Sequence, residues 1–419
     1  MKNSKFYIIA LMSVSLISLE IVWTRIFSAE FYYTFAFLIL SLSILGLGLG
    51  ALALRLFAPV FRSKNATGIL LLITSLLALT GPSVVLNIKL DFSRLFTDTE
   101  MIWKFLLTVF LLSSTFFAGG IALAKLFRDN CGDMPRLYMA DLIGAGSGAL
   151  LAIVLMNTFG TPWASFLICL PLIMASFLAL ERWYRYAEIV PLTLMFVMIS
   201  YSHTLLNPPR KERAPVVYQY WDAMAKIKIY NYSKDSRGIN IDNMANTPVH
   251  YFDGNWNRPD SMKFDFGIFS LKNFIKPKSS CTVLSLGSGG GGEVLQALQE
   301  GAKEIHAVEV NPKINSMLKD GELSDFSGKI YKDPRVKVIT EDGRTYVRRY
   351  RNKFDLITSF SSNTFAALAS GSFALAENYL FTTEAFEDYY CALTNNGVFY
   401  MEHQMYMPKV VSEVIEALN

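Results

Sequence analysis

The hydrophobic pattern divides the chain into two parts. After the polar segment NPPRKERAP at 207–215, apolar residues occur in short or alternating runs, as in the strands and helices of an α/β protein. Before it, apolar residues form seven runs of about the length that a helix needs to cross a bilayer, ~20 residues: 6–24, 33–57, 67–86, 102–127, 138–158, 163–181 and 187–205. The pattern predicts a transmembrane helical domain over 1–206, a linker over 207–215 and a second domain after the linker.

Composition supports this division. The 419 residues are 52% hydrophobic and have a mean hydropathy of +0.31, which is too apolar for an ordinary soluble protein. The first run ends in LEIVWTRIF rather than in a small-residue cleavage site. We therefore interpret it as a membrane span and not as a cleaved signal peptide.

Basic residues leave the orientation of these spans open. With seven spans, ten Lys and Arg residues near the short loops lie on the N-terminal side and seven on the other side, a weak asymmetry. Seven crossings would also put the second domain on the side opposite the N-terminus. A cytoplasmic second domain therefore requires an outside N-terminus or one run that does not cross.

Polar and small residues inside the apolar runs predict helix packing. Glu20, with Arg25 nearby, is interpreted as part of an ion pair within the bundle, and Asp141 as structural rather than as part of a substrate path. Two glycine series are expected to let helices approach closely: Gly46, Gly48, Gly50, Gly144, Gly146 and Gly148. Four scattered cysteines and four histidines without ligand spacing favour neither a disulfide framework nor a metal site.

The second domain begins with alternating residues that predict a small β-rich unit over 216–265. From 266 onwards the pattern predicts a nucleoside-binding α/β domain. Residues 283–292, VLSLGSGGGG, are an apolar run that breaks into glycines. A helix and a second apolar run follow, and that run ends near Glu309, 22 residues beyond Gly287. Glycines permit the sharp turn and the approach of a ligand, and the acid accepts hydrogen bonds from ribose hydroxyls, which together predict a nucleotide-binding βαβ unit.

Three further strands are expected in the same Rossmann-like sheet. VKVIT is followed by Glu341-Asp342-Gly343, at the strand end where open α/β sheets bind ligands. Asp342 either accepts a hydrogen bond from an adenine amino group or is a solvated turn acid. KFDLITSF at 353–360 is the fourth strand, and its long trailing loop is typical of a loop that faces a substrate. A helix over 383–393 and a strand over 397–403 complete the order.

Five motifs in this order carry a family resemblance: GSGGGGEV, AVEVNP, DPRVKVITEDGR, KFDLI and AENYLFTTEAFEDYY. They resemble the spermidine/spermine synthase family, a branch of the class I S-adenosylmethionine-dependent transferase fold, over roughly 216–403. With LEIVWTR and YMADLIGAGSGAL in the preceding spans, the chain is similar to bacterial membrane-fused spermidine-synthase-like proteins. Folds of this class end in an antiparallel hairpin, whereas here a predicted helix follows the fifth strand, so we expect the C-terminal end of the sheet to be incomplete.

The resemblance implies S-adenosylmethionine or its decarboxylated form as co-substrate, without a metal. It places Glu309 at the ribose and Asp342, followed by Gly343, at the adenine. The methionine portion would pass three glycines: Gly287, Gly289 and Gly291.

The chain departs from the family where the family's chemistry is done. Polyamine synthases end the fourth strand with D-x-x-D-P, whose carboxylates hold and deprotonate the amine. Here the matching stretch reads Phe360-Ser361-Ser362-Asn363-Thr364, and both carboxylates are missing. Neither Phe360 nor Asn363 offers the negative charge that offsets the desolvation of a polyamine, or a base near neutral pH.

Three residues are candidates for catalysis in place of the missing pair. Glu377 would act as a base if burial raises its pKa, or would cap a helix or pair with a neighbour. Asn363 occupies the matched position, and Tyr379 follows Glu377 closely. Tyr379 and His250 are weaker candidates, and for each of them packing or a structural hydrogen bond is the alternative.

These expectations favour a membrane-anchored transferase that moves a methyl, aminopropyl or aminocarboxypropyl group to an acceptor at the membrane. The acceptor would be a small molecule or a lipid. A homo-oligomer is included among the expected partners, and nucleic acid is not. The predicted location is the bacterial inner membrane with the soluble domain in the cytoplasm. The alternatives are a polyamine aminopropyltransferase and a non-catalytic nucleoside-sensing or transport protein.

Overall fold

The computed structural model describes residues 4–31, 35–208, 212–256, 271, 274, 280–360, 380–402 and 407–418. The described chain forms two compact units. The first contains the described residues before 212 and the short segment Trp221–Ala223, and the second contains the rest.

The first unit is helical. Its helices are α1 (Ser4–Glu30), α2 (Phe35–Leu56), α3 (Ala66–Asn87), α4 (Thr99–Asp129), α5 (Met134–Phe159), α6 (Thr161–Leu167), α7 (Leu170–Ala179), α8 (Ile189–Ser200) and α9 (Ser202–Leu205). Among the described residues, six helical segments are long and apolar enough to cross a membrane: the four helices α1 to α4, Cys131–Phe159 with α5, and Thr161–Ala179 with α6 and α7.

The seventh apolar run does not form a helix of that kind, so the described residues contain six candidate spans where the sequence predicted seven. The run at 187–205 is divided between α8 and α9, because the backbone leaves helical geometry at Tyr201. α8 has 12 residues, which at ~1.5 Å per residue reach about 18 Å, short of a hydrocarbon core of ~30 Å.

Close helix packing in the first unit depends on alternate glycines of the two series. A Cβ added at Gly144 or Gly148 of α5 would collide with backbone of α1, and one added at Gly46 would lie 2.8 Å from the Phe116 Cβ of α4. Gly50 also lies against the α4 backbone. These positions are at four-residue spacing, so they share one helix face.

The middle glycine of each series has no such role. A Cβ at Gly48 or Gly146 would meet none of the described atoms within 4 Å, because both residues lie on the opposite side of their helices. The prediction of close packing was therefore wrong for these two positions.

The acidic residues in the helical unit have structural partners. The Ser13 hydroxyl of α1 donates a hydrogen bond to the Asp141 carboxylate of α5, which joins the two helices. The Ser43 side chain of α2 hydrogen-bonds to the Glu20 carboxyl. The ion pair predicted between Glu20 and Arg25 stays a prediction.

The second unit contains two sheets. A four-stranded sheet has the order β1-β2-β3-β4, with β1 Val216–Trp221, β2 Lys226–Asn231, β3 Ser236–Ile241 and β4 Ala245–His250. The β2–β3 and β3–β4 pairs are antiparallel. We call this sheet the meander.

The larger sheet has the order β7-β6-β5-β8-β9, and all four of its strand pairs are parallel. Its strands are β5 (Thr282–Leu286), β6 (Glu304–Val308), β7 (Val336–Ile339), β8 (Phe354–Ser359) and β9 (Leu393–Met401). The helices of this part are α10 (Gly292–Gln299), α11 (Pro312–Lys319), α12 (Gly343–Val347), α13 (Thr383–Ala392) and α14 (Met407–Leu418). The predicted parallel α/β sheet is confirmed, and β9 begins four residues earlier than expected.

The central strand β5 is buried on both faces of the sheet, as in a doubly wound fold. Val283 belongs to a core that also contains Ile239 of the meander and Val294 of α10. Leu284 and Leu286 point to the opposite face and pack with residues of α12 and α13. The meander and the parallel sheet therefore share one core.

Candidate functional site

The predicted cofactor residues lie at one edge of the parallel sheet. Because β5, β6, β7, β8 and β9 run in the same direction, their carboxyl ends meet at a single edge, where α/β folds bind ligands. The glycine loop follows β5, Glu309 follows β6, and Asp342 follows β7. The topology brings these three predicted elements together.

The glycine loop has the backbone geometry that its sequence predicts. Gly287, Gly289 and Gly291 have φ angles of 69°, 46° and 78°, in the left-handed region that favours glycine. The N–H groups of Gly287 and Ser288 donate to the Val308 carbonyl oxygen at 2.9 and 3.0 Å, which fixes the loop to β6. The loop then enters α10, with Gly291 as its N-cap.

Glu309 binds the glycine loop directly. It is 7% exposed, and its Oε2 accepts a hydrogen bond from the Gly289 N–H at 3.2 Å. Its Oε1 accepts one from the Asn311 N–H at 2.9 Å. Burial raises the pKa of Glu309, and these backbone donors oppose that rise. A carboxylate has about four acceptor sites, so Glu309 can accept further hydrogen bonds while it holds the loop.

The meander holds the loop from the other side. The Gly290 N–H donates to the Thr247 hydroxyl of β4 at 3.0 Å, and a Cβ at Gly290 would overlap the Pro248 carbonyl oxygen. Only glycine fits so close to the β4 backbone, because any side chain would force one of the two backbone segments to move. The sequence did not indicate this contact, because Thr247 lies 43 residues earlier and in another sheet.

Asp342 begins a helix at the end of β7. Its Oδ1 accepts a hydrogen bond from the Thr345 N–H at 2.8 Å, so the residue is the N-cap of α12. The next residue, Gly343, lies against Leu286: an added Cβ would be 3.2 Å from the Leu286 Cδ2. Asp342 thus has a capping role and also lies at the ligand-binding edge.

Sequence reasoning missed one acidic residue at this edge, Glu293 in the first turn of α10. It is 4% exposed, and within the described part of the chain its Oε1 has no hydrogen-bond partner. Burial raises the pKa of Glu293 to about 7, with a further increase from Glu309 and Glu402. A glutamate directly after a glycine loop resembles an ordinary first-turn acid, and its burial follows only from the packing of α10 on the sheet.

Three of the residues predicted to take part in catalysis lie outside the described residues: Asn363, Glu377 and Tyr379. Phe360, the first residue of the stretch that lacks the acidic pair, is described, and its ring meets the Tyr400 ring edge to face at 4.9 Å. His250 ends β4, and burial lowers its pKa, which favours the neutral imidazole.

Among the described residues no group of three His, Cys, Asp or Glu side chains is arranged to hold a metal ion. The arrangement at the sheet edge is instead a backbone cradle with buried carboxyl groups. Such a cradle suits a neutral or positively charged nucleoside, because the loop N–H groups are already bound within the protein.

Comparison with known proteins identifies the domain. Residues 268–418 match the spermine/spermidine synthase domain family. The C-terminal part of this chain is a spermine/spermidine synthase domain. The family resemblance read from the motifs is thereby confirmed for this part of the chain.

The synthase domain is similar to curated polyamine aminopropyltransferases. The Clostridium kluyveri protein is 30% identical over 135 residues, which are 32% of this chain and 45% of that protein. The Thermotoga petrophila protein is 29% identical over 130 residues, which are 31% of this chain and 40% of that protein. The matched segment thus spans less than half of either relative.

A solved structure is also similar to the chain. A spermidine synthase in complex with the transition state analogue AdoDATO is 20% identical, with a TM-score of 0.34. The match covers 48% of this chain and 63% of that one.

Proposed function

We propose that the protein is a membrane-anchored aminopropyltransferase-type enzyme. It would bind decarboxylated S-adenosylmethionine, or S-adenosylmethionine itself, and transfer a group to an acceptor at the membrane surface. The synthase domain favours the aminopropyl group over the methyl and aminocarboxypropyl groups that the sequence left open, since the curated relatives are aminopropyltransferases.

One observation carries the nucleoside site. The Glu309 carboxylate accepts the Gly289 N–H of a loop that contains three left-handed glycines. This contact joins the ribose-binding candidate to the loop that would pass the methionine portion. A site held in this way is organised before the ligand arrives, which lowers the entropic cost of binding.

The chemistry required of the protein is mainly positioning. An acceptor nitrogen would attack the carbon bonded to the sulfonium sulfur, the carbon–sulfur bond would break, and its electron pair would remain on sulfur as a thioether. Glu309 and Asp342 would hold the nucleoside, and the loop would orient the sulfonium side chain. Holding both reactants in line supplies a large part of the rate enhancement in such displacements.

We propose that six helical segments cross the membrane and that the 187–205 run does not. Six crossings would return the chain to the side of its N-terminus, so the basic residues after the last span join that side. Thirteen Lys and Arg residues then lie on the N-terminal side. Four lie on the other: Arg25, Lys89, Arg94 and Lys104. By the positive-inside rule this asymmetry favours a cytoplasmic synthase domain and a cytoplasmic N-terminus.

The apolar surface of the helical unit supports insertion into lipid. Large apolar side chains of α2, α4 and α5 are exposed in the isolated structure, among them Ile44, Phe110 and Leu150. Exposed apolar surface of this extent is unfavourable in water and matches hydrocarbon. Fusions test the topology: a fluorescent protein after the C-terminus should fluoresce, and alkaline phosphatase in the loop between α3 and α4 should be active. A dark C-terminal fusion together with active alkaline phosphatase would indicate a seventh crossing and refute the six-span topology, whereas the reverse pattern would refute the proposed orientation.

Calorimetry of the full-length protein in nanodiscs tests the nucleoside site. We expect decarboxylated S-adenosylmethionine and 5′-methylthioadenosine to bind, and Glu309→Gln to weaken both by about 10-fold or more, because a charged acceptor is lost from the ribose and from the loop. The solvent-exposed Glu387 of α13 offers a control, Glu387→Gln, which should bind normally. No binding of either ligand to the wild-type protein would refute the proposal.

A non-catalytic nucleoside sensor or transporter is the second candidate. The absence of carboxylates at Phe360 and Asn363 favours it, because these positions match the acids that handle the amine in the family. The sensor would bind the nucleoside without consuming it. Incubation with decarboxylated S-adenosylmethionine and membrane extract separates the two, since only the transferase releases 5′-methylthioadenosine.

A further inference from the structure

The buried carboxyl of Glu293 has no role in the nucleoside site as described. Glu309 holds the loop and is placed for the ribose, and Asp342 caps α12. Glu293 lies in the first turn of α10, yet its Oε1 has no partner among the described residues, and the residue is 4% exposed. A buried carboxylate oxygen without a donor is costly to fold. A buried carboxyl group at this position therefore requires an explanation.

Two other acidic side chains influence the carboxyl of Glu293. The largest charge effects on its carboxyl come from two other carboxylates, Glu309 after β6 and Glu402 after β9. The Tyr331 hydroxyl donates a hydrogen bond to the Ser288 hydroxyl of the loop at 2.9 Å. The charges of Glu309 and Glu293 also act on this phenol, and burial raises its pKa, so it is neutral. Three ionised carboxylates would repel one another, and protonation of one of them or binding of a cation relieves that repulsion.

The backbone places Glu293 at the end of the fourth strand of the domain. Its carboxylate accepts a hydrogen bond from the Phe360 backbone, directly after β8. Glu402 lies on the neighbouring strand end, where its N–H donates to the Ser359 carbonyl oxygen at 3.2 Å. Glu293 and Glu402 therefore approach the strand end at which the chain lacks an acid of its own.

We propose that Glu293, assisted by Glu402, is the acid that binds the positively charged amine of the acceptor, supplied from α10 and β9 instead of from the loop after β8. The acceptor class is then a primary aliphatic amine, either a free diamine or the amine of a lipid headgroup. This inference rests on the proposed transferase function. In this proposal the negative charge lies at the same edge of the sheet as the family's acidic pair, but it comes from α10 and from the end of β9.

The proposal also accounts for the proton. The bound ammonium must first give up one proton, which frees the nitrogen lone pair; that lone pair then forms the carbon–nitrogen bond while the carbon–sulfur bond breaks and its electron pair stays on sulfur. Burial raises the pKa of Glu293 to about 7, so its carboxylate can accept that proton near neutral pH. When a cationic amine binds, its charge favours the ionised carboxylate, so amine binding should release a proton and strengthen as pH rises from 6 to 8.

Steady-state kinetics of the full-length enzyme in nanodiscs test this assignment. Decarboxylated S-adenosylmethionine is the donor, and release of 5′-methylthioadenosine is measured with putrescine in one arm and with phosphatidylethanolamine in the nanodisc in the other. We expect Glu293→Gln to lower kcat/KM for the amine by about 100-fold, since removing one member of a buried charge pair is expensive. Its nucleoside Kd should stay within about 2-fold, because the nucleoside contacts remain. Glu293→Asp should recover part of the activity.

Two further variants distinguish a loss of amine binding from a folding defect. Glu402→Gln, at a half-buried position, should raise the KM for the amine by several-fold with an unchanged nucleoside Kd. Glu387→Gln, at an exposed position of α13, should behave as wild type. The arm that shows turnover identifies whether the amine is free or lipid-borne.

The outcomes separate the two proposals. Wild-type turnover that is unchanged in Glu293→Gln, or a pH-independent KM for the amine, would overturn the role of Glu293 and leave the transferase intact. Nucleoside binding without turnover on either amine would also overturn it. Failure of the wild-type protein to bind nucleoside at all would instead remove the transferase proposal.

Discussion

Replacing Glu293 by glutamine should stabilise the synthase domain at alkaline pH. The folded-state pKa of Glu293 is about 7, against 4.5 for the free group. Between these values the folded protein keeps a proton that the unfolded chain has lost, so the stability of the wild type falls as pH rises through this window. Glutamine has nearly the same shape and never ionises, so the variant avoids this loss.

The size of the effect follows from the pKa difference. Each pKa unit corresponds to about 1.4 kcal/mol, so the wild type should be less stable than Glu293→Gln by about 3 kcal/mol at pH 8 and by less than about 1 kcal/mol at pH 5. The charged neighbours Glu309 and Glu402 and the neutral Tyr331 are unchanged in the variant. The substitution that is proposed to lower kcat/KM is thus expected to increase stability, as is common at functional sites.

Hydrogen–deuterium exchange of the full-length protein in nanodiscs measures this difference. Peptides from β5 and α10 should exchange up to about 100-fold more slowly in Glu293→Gln than in the wild type at pH 8. At pH 5 the two proteins should be nearly equal. Comparison at the same pH removes the intrinsic pH dependence of exchange, and Glu387→Gln serves as the matched exposed control.

Two results would refute this reasoning. If the amides of the wild type and of Glu293→Gln were equally protected from exchange at pH 8 as well as at pH 5, Glu293 would be ionised in the folded state over the whole range. Lower protection of the variant at pH 8 would mean that the carboxylate is stabilised by its surroundings, in contrast to its unpartnered Oε1.

Other substitutions test the packing and the charges of both units. Gly290→Ala should destabilise the loop by about 2 kcal/mol, because its Cβ would overlap a β4 carbonyl oxygen, while Gly292→Ala, with open space, should be nearly neutral in the same exchange experiment. Gly148→Ala should lower the melting temperature of the helical unit in detergent, and Gly146→Ala should not, since only the first faces α1. The hydrogen bond with Lys337 is the main reason that the pKa of Glu304 is lowered to about 2. Glu304 should therefore stabilise the domain above pH 4.5 and lose that contribution as pH falls towards 2. Glu304→Gln should remove this acid-dependent part of a thermal unfolding series, and an unchanged series would contradict it.

The sequence predicts the parallel sheet well because local signals and topology agree there. The glycine turn, the acid 22 residues later and the apolar strands all have short-range signatures, and each occurs at the expected strand end. The glycine spacing in α2 and α5 likewise identified the right helices. It did not show which face of each helix meets a partner, so Gly48 and Gly146 were predicted wrongly.

The remaining features depend on contacts between distant residues. The split of the last apolar run at Tyr201 has no strong helix-breaking residue to announce it. The burial of Glu293 depends on the packing of α10 between the meander and the sheet, and a first-turn acid is ordinarily exposed. The hydrogen bond from Gly290 to Thr247 crosses 43 residues of sequence. None of these has a local pattern.

The contact between Thr247 and Gly290 has a consequence for how the protein can be divided. The segment that matches the family begins at residue 268, yet a strand that ends at His250 supplies part of the support for the glycine loop. The compact unit itself begins at Glu212. A shortened protein that starts at the family boundary would keep every predicted cofactor residue and lose the scaffold that holds their loop. A soluble form for biochemistry should therefore retain the meander.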